Sequence, residues 1–385
     1  MKVLHIGKYF SPFRGGVETY LLDAMNALSR RGVECAALVH DHERSWRGRA
    51  ESHGDADARF QVHRSATWFT LFFTPFSPGF RADLARLLDT FQPDIIHVHL
   101  PNPSVVWLLT LRQARDIPLV VHWHSDVITA AQGPVMKALY ALYRPLERRL
   151  LDRAAAVVAT SRSYLESSQS LQAFPEKCHV VPLGLDTARF EALPVPARPA
   201  KLRDDAMNVL AVGRLTYYKG FGYLVRALAD APGVHVHLVG KGELRRELKA
   251  LAKQVGVERR ITFHGPLDDV DLGALLAHCD CLCLPSVERT EAFGLVLLEA
   301  MYFGRATVSS AMRGSGMDWV VEDGVTGIKV PPADARALAG ALATLRDDPA
   351  LAARLGQGGR TRFDSTFTID RSVDALVDVY RKVSS

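Results

Sequence analysis

Glu191-Ala-Leu-Pro-Val-Pro-Ala-Arg-Pro-Ala-Lys201 divides this chain in two. Three prolines in six residues fix φ and remove backbone donors, so regular structure stops there. Before it, short β-branched runs alternate with longer amphipathic segments: Val3–Ile6, Cys35–Val39, Ile95–Val98, Leu119–His122 and Ala155–Ala159. After it the pattern restarts with Val209–Val212, His235–Val239, Ile261–Phe263, Cys281–Leu284 and Ala306–Ser309. Continuously apolar strands separated by helical segments predict parallel sheets covered on both faces. The expected class is α/β, with two doubly wound, Rossmann-like domains. They are expected to face each other across a cleft at the C-terminal ends of both sheets, where such folds bind ligands. The predicted boundaries are 1–190 for the first domain, 191–202 for the linker and 203–368 for the second domain. A last amphipathic helix within 369–385, about Ile369 to Val383, is expected to pack back on the first domain.

At 385 residues the chain is long for one core and comfortable for two. The net charge of +5 fits a phosphate-bearing substrate or an anionic membrane surface, and is too small and too evenly spread for nucleic acid. The first strand-like run follows Met1-Lys2 directly, which leaves no room for a secretion signal, and no uncharged apolar stretch reaches the roughly 18 residues of a membrane span. A cytoplasmic protein with reduced cysteines is expected. Cys279, Cys281 and Cys283 alternate as in a strand and lack the spacing of a metal-binding pair, so they are read as buried packing residues on one sheet face. The first loop, Gly7 to Glu18, lacks the G-x-G-x-x-G spacing of a dinucleotide site.

Glu291-Ala-Phe-Gly-Leu-Val-Leu-Leu-Glu299 places a carboxylate at each end of an apolar segment with one glycine. A helix opening just past Gly294 puts Glu299 inside it and Glu291 in the loop ahead, with outward backbone N–H groups between them for an anion. Such a piece can hold a polyol at both ends and a phosphate between, as a nucleotide-sugar requires. A buried helix with merely solvated glutamates is the plainer alternative.

Taken in order, the motifs resemble the family-4 retaining glycosyltransferases of the GT-B fold. They are Arg14-Gly-Gly-Val-Glu18, Asp94 to Ser104, Val121-His-Trp-His-Ser-Asp126, Pro182-Leu-Gly-Leu-Asp186, Val212 to Gly220, Val239-Gly-Lys-Gly242 and the paired glutamates. The resemblance implies that Arg214 and Lys219 straddle a donor diphosphate and stabilise it as leaving group. Gly15, Gly16, Gly213, Gly240 and Gly242 belong to the same donor side. It implies further that Glu299 accepts hydrogen bonds from the ribose, and that Glu291, with Ala292, Phe293, Gly294 and Leu295, binds the transferred sugar. Gly15 and Gly16 are expected to let the backbone come close to the ligand with φ above zero, or to form an ordinary tight turn. His124 matches the active-site histidine. The rings of His122 and His124 are expected on opposite faces of their strand, so that only one lines the cleft, and likewise for His97 and His99. Arg14, His99, Asn102 and Asp126 are assigned to the acceptor; Asp126 either polarises its hydroxyl or caps a helix.

No carboxylate nucleophile stands out on the first-domain side. The resemblance instead implies same-face attack, with the departing phosphate taking the acceptor proton. No cofactor or metal is expected: Asp55-Ala-Asp57 lies in a polar loop, Asp269-Val-Asp271 lies in a turn before a helix, and Arg214 and Lys219 supply the positive charge. Val135, Leu139, Leu142, Leu146 and Leu150 share a helical face opposite Lys137, Arg144 and Arg148, with Pro145 expected to kink the run. That helix either covers a core or rests on anionic lipid. Trp68, Phe69, Phe72, Phe73, Phe76 and Phe80 form an aromatic cluster outside any periodic element, fit for an acceptor groove or for lipid. The expected reaction is hexose transfer, with GDP-mannose favoured over a UDP-hexose, to a glycan or lipid-linked glycan of surface polysaccharide. An epimerase or phosphorylase on the same fold and a non-catalytic sugar-nucleotide sensor are the rival classes.

Overall fold

The two strings of apolar runs form two separate sheets in the computed structural model, which describes residues 1–54, 59–71, 74–127, 133–191 and 197–384. Asp55, Asp57, Phe72, Phe73 and residues 192–196 of the expected linker lie outside the described residues. The first unit comprises Met1–Gly184 with Ile369–Ser385, and the second comprises Leu185–Thr368. The second unit therefore begins before the expected linker. Leu185 N–H bonds Phe367 O at 3.0 Å and Phe190 packs on Tyr302 and Phe303, which ties this stretch to the second core.

Strands of the first unit are β1 (Lys2–Ile6), β2 (Glu34–His40), β3 (Arg49–His53), β4 (Phe60–Ser65), β5 (Phe69–Leu71), β6 (Thr74–Phe76), β7 (Ile95–Leu100), β8 (Leu119–Trp123), β9 (Ala156–Ala159) and β10 (Cys178–Val180). Eight of them form one sheet in the order β10-β9-β8-β7-β1-β2-β4-β3, parallel except for the edge strand β3. The order reverses direction between β1 and β7, and such a switch point opens a crevice at the strands' carboxyl ends. The helix Gly16–Arg30 packs beside the C-terminal helix Ile369–Ser384. That last helix buries Ile369, Val373, Leu376, Val379 and Tyr380, a spacing of three and four that makes one apolar stripe. Tyr20 and Ser372 hydroxyls meet at 3.0 Å, and Ser372 donates to Pro182 O at 2.6 Å.

Two sequence expectations fail in this unit. The aromatic run is not aperiodic: β5 and β6 pair as an antiparallel hairpin, with Phe69 and Phe76 stacked at 4.8 Å, while Phe80 is core and stacks on His40. The helix Gly133–Arg153 contains Pro145, and the apolar face expected to be continuous divides between core and surface. Leu150 is buried and Leu146 half-buried, but Val135, Leu139 and Leu142 are 57%, 45% and 76% exposed.

Strands of the second unit are β11 (Met207–Val212), β12 (Val234–Val239), β13 (Ile261–Gly265), β14 (Cys281–Leu284), β15 (Ala306–Ser310) and β16 (Gly327–Val330). All are parallel, in the order β13-β12-β11-β14-β15-β16, with the switch point between β11 and β14. Cys281 and Cys283 are buried in β14, whereas Cys279 sits at the end of the helix Asp269–His278 rather than in the strand. Burial raises all three thiols, Cys279 to about 12, so none is a ready nucleophile.

Candidate functional site

The loops that leave β11 and β14, on either side of the second switch point, bring the donor-side residues together. Gly213 follows β11, and the chain turns through Tyr217–Lys219 into Gly220. Gly240 follows β12 at φ 133°, and a Cβ there would lie 2.0 Å from Gly213 O, so only glycine lets these two loops touch. A Cβ on Gly242 would lie 2.3 Å from Leu215 O. Lys219 reaches back beneath Gly213 and its Nζ forms an ion pair with Glu291 Oε2. Burial works against the ammonium, but Glu291 beside it prevails, and Lys219 titrates above the ordinary lysine range. Ser286 Oγ donates to the same carboxylate oxygen at 3.2 Å. Arg214 is exposed.

The helix expected past Gly294 is Leu295–Tyr302, and Gly294 at φ 79° is its N-cap, a conformation other residues rarely take. No side chain caps it; Leu297 N–H bonds Gly294 O at 2.8 Å, and the amides of Leu295 and Val296 are left to a ligand or solvent. Glu291 lies in the loop ahead; its carbonyl accepts from Ser315 Oγ, and Ala292 O accepts from Gly316 N at 2.7 Å. The Phe293 ring is buried against Trp319 and Phe367, so only its backbone can serve a ligand. Glu299 is buried inside the helix, with Oε1 held by Arg189 Nη2 at 2.6 Å. Asp268 caps the helix Asp269–His278 by accepting from Asp271 N, which gives the Asp269-Val-Asp271 pair an ordinary first-turn place.

In the first unit the expectation of histidines turned to opposite faces is overturned. Residues two apart in a strand share a face, and His122 and His124 stack at 4.2 Å with their planes 6° apart. His97 and His99 stack at 4.6 Å in the same way. His5 of β1 joins them, so three neighbouring strands line one buried face with five imidazoles. His99 Nδ1 meets His124 Nε2 at 2.9 Å and its Nε2 meets His5 Nδ1 at 3.3 Å. With both nitrogens engaged, its ring has nothing left for an acceptor. Asn102 is also structural: its Nδ2 donates to Gly7 O at 2.9 Å and its Oδ1 accepts from Ser104 N at 3.2 Å, which pins the first loop. Asp126 does not cap a helix in the described residues; its Oδ1 accepts from Trp123 Nε1 at 2.9 Å and Ser168 Oγ at 2.6 Å. Arg14 is exposed. Gly15 and Gly16 do not take positive φ; Gly15 is extended at −165°, and what its missing Cβ frees is room for Glu18 Oε2.

Sequence reasoning missed Arg189, Ser286, Ser315, His5 and Tyr380. Arg189 lies next to the matched Pro182–Asp186 segment, and His5 sits in the first apolar run as its one polar residue. Those were the only signals available for either.

Residues 14–189 match the family described as Glycosyltransferase Family 4, and residues 197–362 match Glycosyl transferases group 1. The chain is 32% identical over 386 residues to the O-antigen chain mannosyltransferase C of Escherichia coli, which covers 99% of this chain and 98% of that protein. It is 32% identical over 380 residues to the D-rhamnosyltransferase WbpZ of Pseudomonas aeruginosa, across 96% of this chain and 92% of that one. Among solved structures, sucrose-phosphate synthase from Thermosynechococcus elongatus superposes with a TM-score of 0.82 at 24% identity, covering 99% and 98% of the two chains.

Proposed function

The chain belongs to the family-4, group-1 glycosyltransferases of the GT-B fold, and on that premise we infer that it moves a mannosyl residue from GDP-mannose, with retention, to a hydroxyl of a lipid-linked or polysaccharide acceptor. The observation that carries this reading is the pairing of Lys219 with Glu291 and Arg189 with Glu299 at the two ends of an uncapped helix start. Arg214 and Lys219 take the diphosphate, Lys219 trading part of its contact with Glu291 for a phosphate oxygen. The amides of Phe293, Gly294 and Leu295 add donors to the anion. Glu299, held in place by Arg189, accepts the ribose hydroxyls, and Glu291 with Ala292 accepts those of the transferred sugar. Gly213, Gly240 and Gly242 keep their loops low enough for the nucleotide.

By the resemblance, His124 is assigned to sugar binding, and Arg14, Gly15, Gly16 and Asp126 to phosphate and acceptor binding. The bond from the anomeric carbon to the β-phosphate oxygen breaks as the acceptor oxygen bonds the same face. The acceptor proton passes to the departing phosphate, and the cations stabilise its charge. No metal is needed for that step. The relatives named for mannosyl and D-rhamnosyl transfer support a mannose-type donor.

Incubating the protein with GDP-mannose or a UDP-hexose, with and without a glycan acceptor and with chelator present, tests the whole reading. Transfer from GDP-mannose with an α-linked product and undiminished rate in chelator is expected. A β-linked product rejects retention, and an isomerised sugar in the acceptor-free reaction favours an epimerase.

No helix among the described residues is long and apolar enough to cross a membrane. The exposed Val135, Leu139 and Leu142 and the basic Lys137, Arg144 and Arg148 instead fit an anionic lipid surface, where a lipid-linked acceptor would be found. The protein is expected to float with vesicles rich in anionic lipid at low salt and to release at high salt; no binding at low salt rejects the surface.

A further inference from the structure

The hairpin β5–β6 turns apolar side chains outward. From Ser65 to Phe80 the chain has no charged residue. Phe69, Leu71 and Phe76 are 50%, 56% and 47% exposed, and the two phenyl rings stack at 4.8 Å. A contiguous apolar group of this kind marks a surface that meets something other than water. The segment ahead of β3 is tied to the base of the hairpin: Ser45 N–H bonds Thr67 O at 2.8 Å, and Thr67 N–H bonds Ser45 Oγ at 3.1 Å. That tie brings the exposed Trp46 against Trp68 at 5.5 Å, with the Arg44 guanidinium over the Trp46 ring at 5.1 Å. Arg44 and Arg47 are exposed in this segment, against one exposed acid, Glu43. The hairpin is therefore apolar and uncharged, and its base carries indoles and arginines.

The sheet sets where this hairpin stands. It follows the carboxyl end of β4, and β4, β2, β1, β7 and β8 run parallel, so β8 ends on the same side. The helix Gly133–Arg153 follows β8 and returns the chain to β9. Its 21 residues measure about 31 Å, against about 17 Å for the strand β8. Its buried residues, Glu147, Leu150 and Leu151, all lie in its second half. The first half, with Val135, Leu139 and Leu142 exposed, thus overhangs the carboxyl end of the sheet. Hairpin and overhang stand at one end of the first unit, four strand spacings or about 19 Å apart.

We propose that the β5–β6 hairpin enters the interface of an anionic lipid bilayer, with Phe69, Leu71 and Phe76 among the upper acyl chains and Trp46, Trp68, Arg44 and Arg47 at headgroup level. This deepens the lipid-surface reading of the helix Gly133–Arg153, and rests on that reading only for a second point of contact. Indole is an apolar body with one N–H and favours the boundary between water and hydrocarbon. Arginines at the same depth are drawn to anionic headgroups. A glycan is the competing occupant of an aromatic surface. Ligand hydroxyls need polar side chains to fix them, and the exposed side chains of β5 and β6 offer one hydroxyl, that of Thr70.

Flotation of the whole protein with vesicles tests this in the absence of any sugar-nucleotide, so a failure of mannosyl transfer leaves the hairpin's role standing. Wild type is expected to float at low salt with equimolar phosphatidylcholine and phosphatidylglycerol. Phe69→Ser with Leu71→Ser should weaken that binding about 25-fold, since each half-exposed side chain is worth about fivefold. Arg44→Gln with Arg47→Gln should weaken it by about the same factor, and only on anionic vesicles. These four side chains are exposed, so both variants should melt as wild type does. Lipids brominated high on the acyl chain should quench wild-type tryptophan emission, and Trp46→Phe with Trp68→Phe should remove that quenching. Leu139→Ser with Leu142→Ser separates the helix from the hairpin. Release by the helix variant alone, with the hairpin variants floating as wild type, overturns the proposal. So does a wild type that stays off anionic vesicles while a lipid-free glycan quenches Trp46 and Trp68, or a wild-type dimer that Phe69→Ser with Leu71→Ser splits without changing flotation. Release by the hairpin variants alone supports the proposal and removes the helix from the lipid surface.

Discussion

Lowering the pH from about 7.5 to about 5.5 is expected to destabilise the first unit by on the order of 8 kcal/mol, enough to unfold a domain of ordinary stability. Burial lowers His5, His40 and His124 to about 3, and His97, His99 and His122 well below their ordinary value. In the unfolded chain each returns to about 6.5 and takes up a proton as the solution becomes acidic. Between the two values the unfolded state binds more protons than the native state, so stability rises with pH and is lost as pH falls. One unit below the unfolded value, each buried histidine contributes a loss of about 1.4 kcal/mol. Tyr20 and Tyr380 face the cluster, and burial raises both phenols, so neither carries a charge in this range that could offset the effect. Urea unfolding across this range should show the midpoint falling steeply with acid, and His122→Leu should reduce the slope by about one proton. A midpoint that stays level from about pH 7.5 to about 5.5 would mean that these rings are hydrated or already charged in the native state.

Lys219→Ala should cost more in activity than any other single change. Removing a fixed cation from a departing phosphate is expected to lower kcat/KM by roughly 100- to 1,000-fold. Stability should fall as well, by about 2 kcal/mol, because the half-buried Glu291 would be left without its counter-ion. The raised pKa of Lys219 means that this contribution is fully present below the usual lysine value and fades only in strong alkali, so the pair is intact at neutral pH. The double variant with Glu291→Gln separates the two effects: the melting temperature should recover while transfer stays lost. Near-normal transfer by Lys219→Ala would place the diphosphate elsewhere.

The central strands of both sheets could be read from the chain because each is buried on two faces and so appears as an unbroken apolar run. Val3–Ile6 became Lys2–Ile6, and Cys281–Leu284 kept its limits. Of the four edge strands, only β13 was read, as Ile261–Phe263. Arg49–His53 is polar and partly exposed, and pairs antiparallel with β4, so nothing in its composition marks a strand. Gly327–Val330 and Cys178–Val180 are too short to carry a period. At the candidate site, Glu291, Glu299 and Lys219 were legible as residue types beside glycines. Their partners were not, because Arg189 and Glu299 are far apart in sequence and pair only through the fold. Histidine was misread for another reason. The side-chain period of a strand was applied with the wrong sign, and the ring chain it hides joins three strands that only the sheet order makes neighbours.

The sheet that begins at Lys2 is closed by the helix at the other end of the chain, with the whole of 185–368 in between. On the ribosome, therefore, the later-encoded body can finish while the earlier one waits. Tyr20 must remain without Ser372, and His97 without Tyr380, until the last helix emerges. During that interval the face of the first sheet that carries its imidazoles is open to water and to protons. Nascent chains stalled short of Ile369 are thus the form of this protein most in need of a chaperone.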